Sequence, residues 1–180
     1  MPNRWKANGP ESAAKRFLPD TFVTPEPHPD TDMWPLADNM VINTGGVDTG
    51  TLDATHSDNG IELLLTETTG TPGFSYDFWF GEVEDVPTFN LRANFKAWYD
   101  GNAGHNINLQ QYNWSTLAWV TAQAAAFPDA VSEQTYSYLL IADAAYLSDG
   151  KVRLRIVHTS PGNMNHELHI DNMYLSVDPV

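Results

Sequence analysis

Near the end of the chain, His158, His166, His169 and Asp171 lie within fourteen residues and have side chains that could do chemistry. Two imidazoles and a carboxylate make a donor set for a divalent metal. The spacing argues against the simplest arrangement. His166-Glu-Leu-His169 is one residue short of the repeat by which a helix aims two histidines at one ion. In an extended strand these two histidines point to opposite faces. The favoured reading is electrostatic. Asp171 pairs with Arg153 or Arg155 on an adjacent strand, the histidines hydrogen-bond the turn backbone, and no metal or cofactor is required.

Other catalytic patterns fall away on inspection. Gly150-Lys151 lacks the glycine five residues earlier that a phosphate-binding loop needs. His158-Thr-Ser160-Pro-Gly162 has histidine where a nucleophile elbow needs its first glycine. Glu82, Glu84 and Asp85 form an acidic run that reads as a solvated loop, not the facing carboxylate pair of a glycosidase. No loop has a calcium-specific spacing, and Asn113-Trp-Ser115 reads as a chance sequon. The expectation is a protein that binds and does not catalyse.

A different group of residues suits binding. Phe89, Leu91, Ala93, Phe95, Ala97 and Tyr99 alternate with polar positions, as do His105, Ile107 and Leu109 beyond Asp100-Gly101. A hairpin centred on Asn102 would bring the two apolar faces together, with Phe95 opposite Leu109. The same register would set Lys96 opposite Asn108, Asn94 opposite Gln110, Arg92 opposite Tyr112 and Asn90 opposite Trp114. The predicted outer face is therefore Asn90, Arg92, Asn94, Trp98, Asn108, Gln110, Tyr112 and Trp114, rich in amides and aromatics. Amides bond sugar hydroxyls and flat rings stack on the pyranose face. A subunit contact or a hydrated sheet uses the same residue types.

Turn signals at Thr44-Gly-Gly46, Asp58-Asn-Gly60, Gly70-Thr-Pro-Gly73, Asp149-Gly150 and Pro161-Gly162 separate short alternating runs. Phe74, Tyr76, Phe78 and Phe80 form one face of a strand, and Val152, Leu154 and Ile156 face away from Lys151, Arg153 and Arg155. Within this region only Ala122–Ala126 has the composition of a short helical turn, as Glu11–Phe17 has in the preceding segment. The fold class is all-β, an antiparallel β-sandwich of jelly-roll type over residues 39–180.

Residues 1–38 differ in kind, holding seven of the twelve prolines and one of the twelve glycines. They read as an extended arm. The first sixteen residues carry a net +3 against −17 for the remainder, which together make the −14 of the 180-residue chain. Arg4, Trp5, Lys6, Lys15, Arg16, Phe17 and Phe22 are the candidate docking residues of this arm. The acidic balance argues against coating nucleic acid. Without cysteine there is no disulfide or thiolate site, and no apolar run is long enough to span a membrane or act as a secretory signal.

The order Gly150-Lys-Val-Arg-Leu-Arg155, His158, Gly162-Asn163, His166, Leu168-His-Ile-Asp171 and Met173-Tyr-Leu175, with Tyr112-Asn113 and Trp119 upstream, resembles the β-sandwich domains of tailed-bacteriophage virion proteins. Those domains are similar to galactose-binding and carbohydrate-binding-module jelly rolls. The resemblance spans residues 88–177. It implies a non-enzymatic virion structural protein, assembled in the host cytoplasm. The first expectation is a capsid decoration or cement protein, docked by its arm on the major capsid protein or other virion subunits and forming a homo-oligomer. The alternative is a carbohydrate-binding module or a tail or fibre component that attaches to the host surface.

Overall fold

The computed structural model of the protein describes residues 35–83, 89–101, 105–128 and 130–179. The proposed docking residues Arg4 to Phe22 lie outside this set. Ten strands follow in order: β1 (Ala37–Thr44), β2 (Gly46–Thr49), β3 (Leu63–Thr66), β4 (Phe74–Phe80), β5 (Phe89–Tyr99), β6 (Ile107–Asn113), β7 (Ala118–Gln123), β8 (Gln134–Leu139), β9 (Val152–His158) and β10 (Glu167–Pro179). They form two five-stranded antiparallel sheets. The front sheet has the order β1-β4-β9-β6-β7 and the back sheet β2-β3-β10-β5-β8. From β3 onward the chain changes sheet at nearly every connection, as in a jelly roll.

Strand alternation accounts for the core. From the front sheet, Phe74, Tyr76, Phe78, Phe80, Ile107, Leu109, Leu154 and Ile156 point inward and are fully buried. From the back sheet, Ala93, Phe95, Ala97, Tyr99, Leu168, Ile170, Met173 and Leu175 meet them. Phe127, after β7, closes the core with its ring edge-on to Phe95 at 5.1 Å. Each leucine, isoleucine, methionine or phenylalanine among them contributes roughly 1.5–3 kcal/mol by leaving water, and the two alanines less.

Tyr76 ties the sheets together. Its hydroxyl crosses from β4 to lie 2.7 Å from the carbonyls of Gly46 and Thr66, and it accepts the Gly46 N–H at 2.9 Å. Gly45 has φ 102°, and a Cβ there would sit 2.1 Å from that hydroxyl, so the turn excludes any side chain.

The structure corrects three expectations. β5 and β6 do not pair: β5 lies between β10 and β8, whereas β6 lies between β9 and β7. Asp100 is drawn instead to the start of β10, where its carboxylate accepts the Glu167 N–H at 2.6 Å and its own N–H reaches the Glu167 carbonyl. Gly101 passes over the Tyr99 ring so closely that a Cβ would overlap it; Asn102, the predicted turn centre, lies outside the described residues, and β6 belongs to the opposite sheet. Second, the alanine run is not helical. Ala122 belongs to β7, Ala125 turns the chain with φ 49°, and the short 3-10 turns lie at Leu52–Thr55 and Ala144–Tyr146. Third, the sandwich starts before residue 39. The Leu175 N–H donates to the Pro35 carbonyl, Leu36 bridges Tyr174, and Ala37 is buried.

Candidate functional site

The outward residues of the front sheet form a built surface. Pairing of β4 with β9 sets Trp79 beside Arg153 and Asp77 beside Arg155. Pairing of β9 with β6 sets Arg155 beside Gln110, and pairing of β6 with β7 sets Gln110 beside Thr121 and Tyr112 beside Trp119. The alternation that buries Phe78 and Leu154 therefore turns Asp77, Trp79, Arg153 and Arg155 to the outside.

Asp77 is the anchor. Although it is on the outer side of β4 its side chain is fully buried, because two arginines cover it. Arg153 Nη2 donates to Oδ2 at 2.6 Å, and Arg155 Nε donates to Oδ1 at 2.6 Å with Nη2 reaching Oδ2 at 3.1 Å. The second contact is bidentate and fixes the guanidinium plane. The guanidiniums also lie over aromatic rings. Arg153 is 4.5, 5.1 and 5.0 Å from the ring centres of Trp79, Tyr112 and Trp119, and Arg155 is 4.0 Å from Trp119. Trp114 completes the group, 6.0 Å from Trp79 and 5.0 Å from Tyr112, both edge-on. A cavity of about 260 Å³ opens beside Trp79, lined by Asp38, Asn39, Phe80 and Lys151.

Asn113 holds the β6–β7 turn that carries Trp114. Its side-chain oxygen accepts the N–H groups of Ser115 and Thr116 at 3.0 and 2.9 Å. The residue that reads as a chance sequon is thus a turn former.

The eight residues predicted to share one face are divided between two. Asn108, Gln110 and Tyr112 belong to the front sheet, with Trp114 in the turn just beyond β6, and Asn108 accepts the Ala125 N–H. Asn90, Arg92, Asn94 and Trp98 belong to the back sheet. There, Asn94 bonds Ser137 and Ser176, and Arg92 donates to Ser137. Trp98 stacks on His169 at 3.8 Å and donates to Glu62, which also holds His169 Nδ1 at 2.8 Å.

Asp77, Trp79 and the two arginines were not identified as site residues from the sequence. The available signal was the polar, aromatic and cationic content of the outward positions on the β4 and β9 runs.

The predicted pairing of Asp171 with Arg153 or Arg155 does not occur, because β9 and β10 lie in different sheets. Asp171 sits in a bulge of β10, buried, where Lys96 donates to it at 3.1 Å and the Gly60 N–H at 2.9 Å. Lys96 also meets Asp58 and Glu133. Its hydrogen bond holds the Asp58 carboxyl below the usual range, and Asp58 and Glu133 in turn raise the Lys96 ammonium. His169 faces outward against Trp98, whereas His158 and His166 converge with Glu67 and His105 at one end of the sandwich. Burial holds the His158 imidazole below its ordinary value, which favours the neutral ring.

Fold and face together define a jelly-roll β-sandwich with an aromatic and guanidinium-lined front sheet. No protein-family model and no curated protein matches the sequence. Among solved structures, one described as the structure of PfGH50B overlays with a TM-score of 0.51 at 14% identity, covering 79% of this chain and 23% of that one. The present chain thus spans under a quarter of that protein, and the likeness is one of fold alone. A structure described as "CBM4 structure and function" gives 0.48 at 14% identity, over 77% of this chain and 94% of that one. The bacteriophage CBA120 tailspike protein 4 enzymatically active domain gives 0.44 at 14% identity, over 78% and 19%. The last two overlay too loosely to argue from.

Proposed function

We propose that this chain is a glycan-binding module that recognises its ligand on the front sheet. The observation behind this reading is the convergence of Trp79, Tyr112 and Trp119 on two guanidiniums held by one buried carboxylate, with Trp114 packed edge-on to Trp79 and Tyr112. Sugar rings present a C–H face that stacks on indole and phenol, and a rim of hydroxyls that needs fixed donors and acceptors. Arg153 and Arg155 are already immobilised by Asp77, so little side-chain entropy remains to be lost on binding.

In this reading the module does not catalyse. Glycoside hydrolysis takes a pair of carboxyl groups across the scissile bond. Asp77, the carboxylate at the centre of this face, instead has its oxygens committed to arginines. The virion setting rests on the sequence resemblance. Within it, a glycan-binding face fits a tail or fibre part that attaches to a host surface better than a capsid cement.

Affinity electrophoresis against neutral and anionic polysaccharides, followed by calorimetry on those that bind, tests the proposal. At least one polysaccharide should retard the chain, and a Trp114→Ala, Trp119→Ala double variant should run free. Binding unchanged in that variant would refute the proposal. So would a wild-type dimer that falls apart on the same substitutions, since the face would then be a subunit contact.

A further inference from the structure

Five chain segments meet at the end of the sandwich where β3, β5 and β9 finish and β6 and β10 begin. They bring Glu67, Tyr99, His105, His158 and His166 together. Donor atoms of Glu67, His105 and His166 all lie within 4.8 Å of one another. Glu67 Oε1 is 2.6 Å from His158 Nδ1, and Glu67 Oε2 is 3.7 Å from His166 Nδ1. The His105 and His158 rings stack at 4.6 Å, with the His166 ring 5.1 Å from His105.

His158 is the informative member. It is fully buried, and its Nδ1 lies at ion-pair distance from Glu67 while its Nε2 has no hydrogen-bond partner among the described residues. Buried imidazoles nearly always satisfy both nitrogens, so an unpartnered Nε2 beside a carboxylate and two more imidazoles calls for a further partner.

The remaining contacts act as supports. Tyr99 donates to Glu67 Oε1 at 2.7 Å and lies 2.8 Å from His105 Nδ1. The Asn163 main-chain N–H donates to Glu67 Oε2 at 2.7 Å. Such outer bonds orient ligating carboxylates. Glycines keep the chain bare around the donors. A Cβ at Gly73 would lie 2.6 Å from His158 Nδ1, and one at Gly162 would lie 2.8 Å from Glu67 Oε2. His105 is only partly buried, which leaves a way in.

We propose that Glu67, His105, His158 and His166 bind one divalent transition-metal ion of the zinc class, which clips the two sheets together at this end. Three imidazoles with one carboxylate suit zinc and its first-row neighbours. Calcium, which takes six to eight oxygens, is not matched by this set. Because His158 comes from the front sheet while Glu67 and His166 flank back-sheet strands, the ion stabilises the folded chain over the unfolded one. The proposal is independent of glycan binding.

The test uses untagged, chelator-treated full chain titrated with ZnCl₂ by calorimetry, and with CoCl₂ followed by visible absorption. One Zn²⁺ per chain is expected, with a rise in Tm that CaCl₂ does not reproduce and cobalt bands of a nitrogen-ligated site. His105→Ala and His166→Ala should each weaken zinc binding by at least about tenfold, whereas His56→Ala should not. His105 is part-exposed, so its variant keeps a folded chain even where a Glu67 variant does not. Absence of stoichiometric zinc binding by the wild type overturns the proposal, as does undiminished binding by the His105→Ala, His166→Ala double variant.

Discussion

The two outer faces of this sandwich draw on similar residues and use them differently. On the back sheet, polar groups are spent on one another: Asn94 on two serines, Trp98 on Glu62 and His169, Lys96 on three carboxylates. On the front sheet, one carboxylate organises two guanidiniums, three aromatic rings lie against them, and Trp114 packs on two of those rings. The indole N–H groups of Trp79 and Trp114 are themselves buried, so what the front sheet presents is ring surface and guanidinium. A face whose bonds close on themselves supports the fold. A face with rigid rings and held cations is the one that the proposed function assigns to a ligand.

The most severe way to disturb this contrast is Asp77→Ala. Removing the buried carboxylate leaves two cations unpaired, and equilibrium denaturation should show a loss of about 3 kcal/mol. A loss below about 1 kcal/mol would mean that the arginines hold their places without it. A crossed pair of variants sharpens the contrast further. Trp119→Ala should lower polysaccharide affinity at least tenfold, about 1.4 kcal/mol, at little cost in stability. Trp98→Ala should cost about 1 kcal/mol of stability and leave binding alone. If both variants bind equally well, the two faces do not differ in the way argued.

The smallest effect concerns pH. Because Lys96 depresses the folded-state pKa of Asp58, the resulting stabilisation is present above the ordinary carboxylate value of 3.8 and fades as the pH falls through the lowered one. Lys96→Met should therefore flatten the decline of Tm below pH 3.8, with Glu133 and Asp171 the other carboxylates facing that ammonium. A decline as steep as in the wild type would detach Asp58 from the network.

Alternation made the inward residues legible in the sequence. Phe74, Tyr76, Phe78 and Phe80, then Phe95, Ala97 and Tyr99, then Leu154 and Ile156 all face the core. The same alternation is silent about which sheet a strand joins, because inner faces meet equally well as neighbours or as opposites. Asp100-Gly101 has the composition of a hairpin turn, but the contact that decides its path is with Glu167, far along the chain. Half of the predicted binding face was therefore assigned to the wrong sheet. The metal-type cluster was hidden for the same reason. His158 and His166 stood out by proximity in sequence, but Glu67 and His105 join them only through the topology.

That topology also bears on how the chain comes to be folded. β10, the last strand, lies in the middle of the back sheet, pairing Leu168 with Leu65 on one side and Tyr99 on the other. During synthesis, β3 and β5 have no shared neighbour until residues 167–179 have cleared the ribosome. Closure of the back sheet is thus a late event that joins distant parts of the chain, and such non-local pairing is intrinsically slow. In the interval, two half-finished strand edges are exposed to other nascent chains.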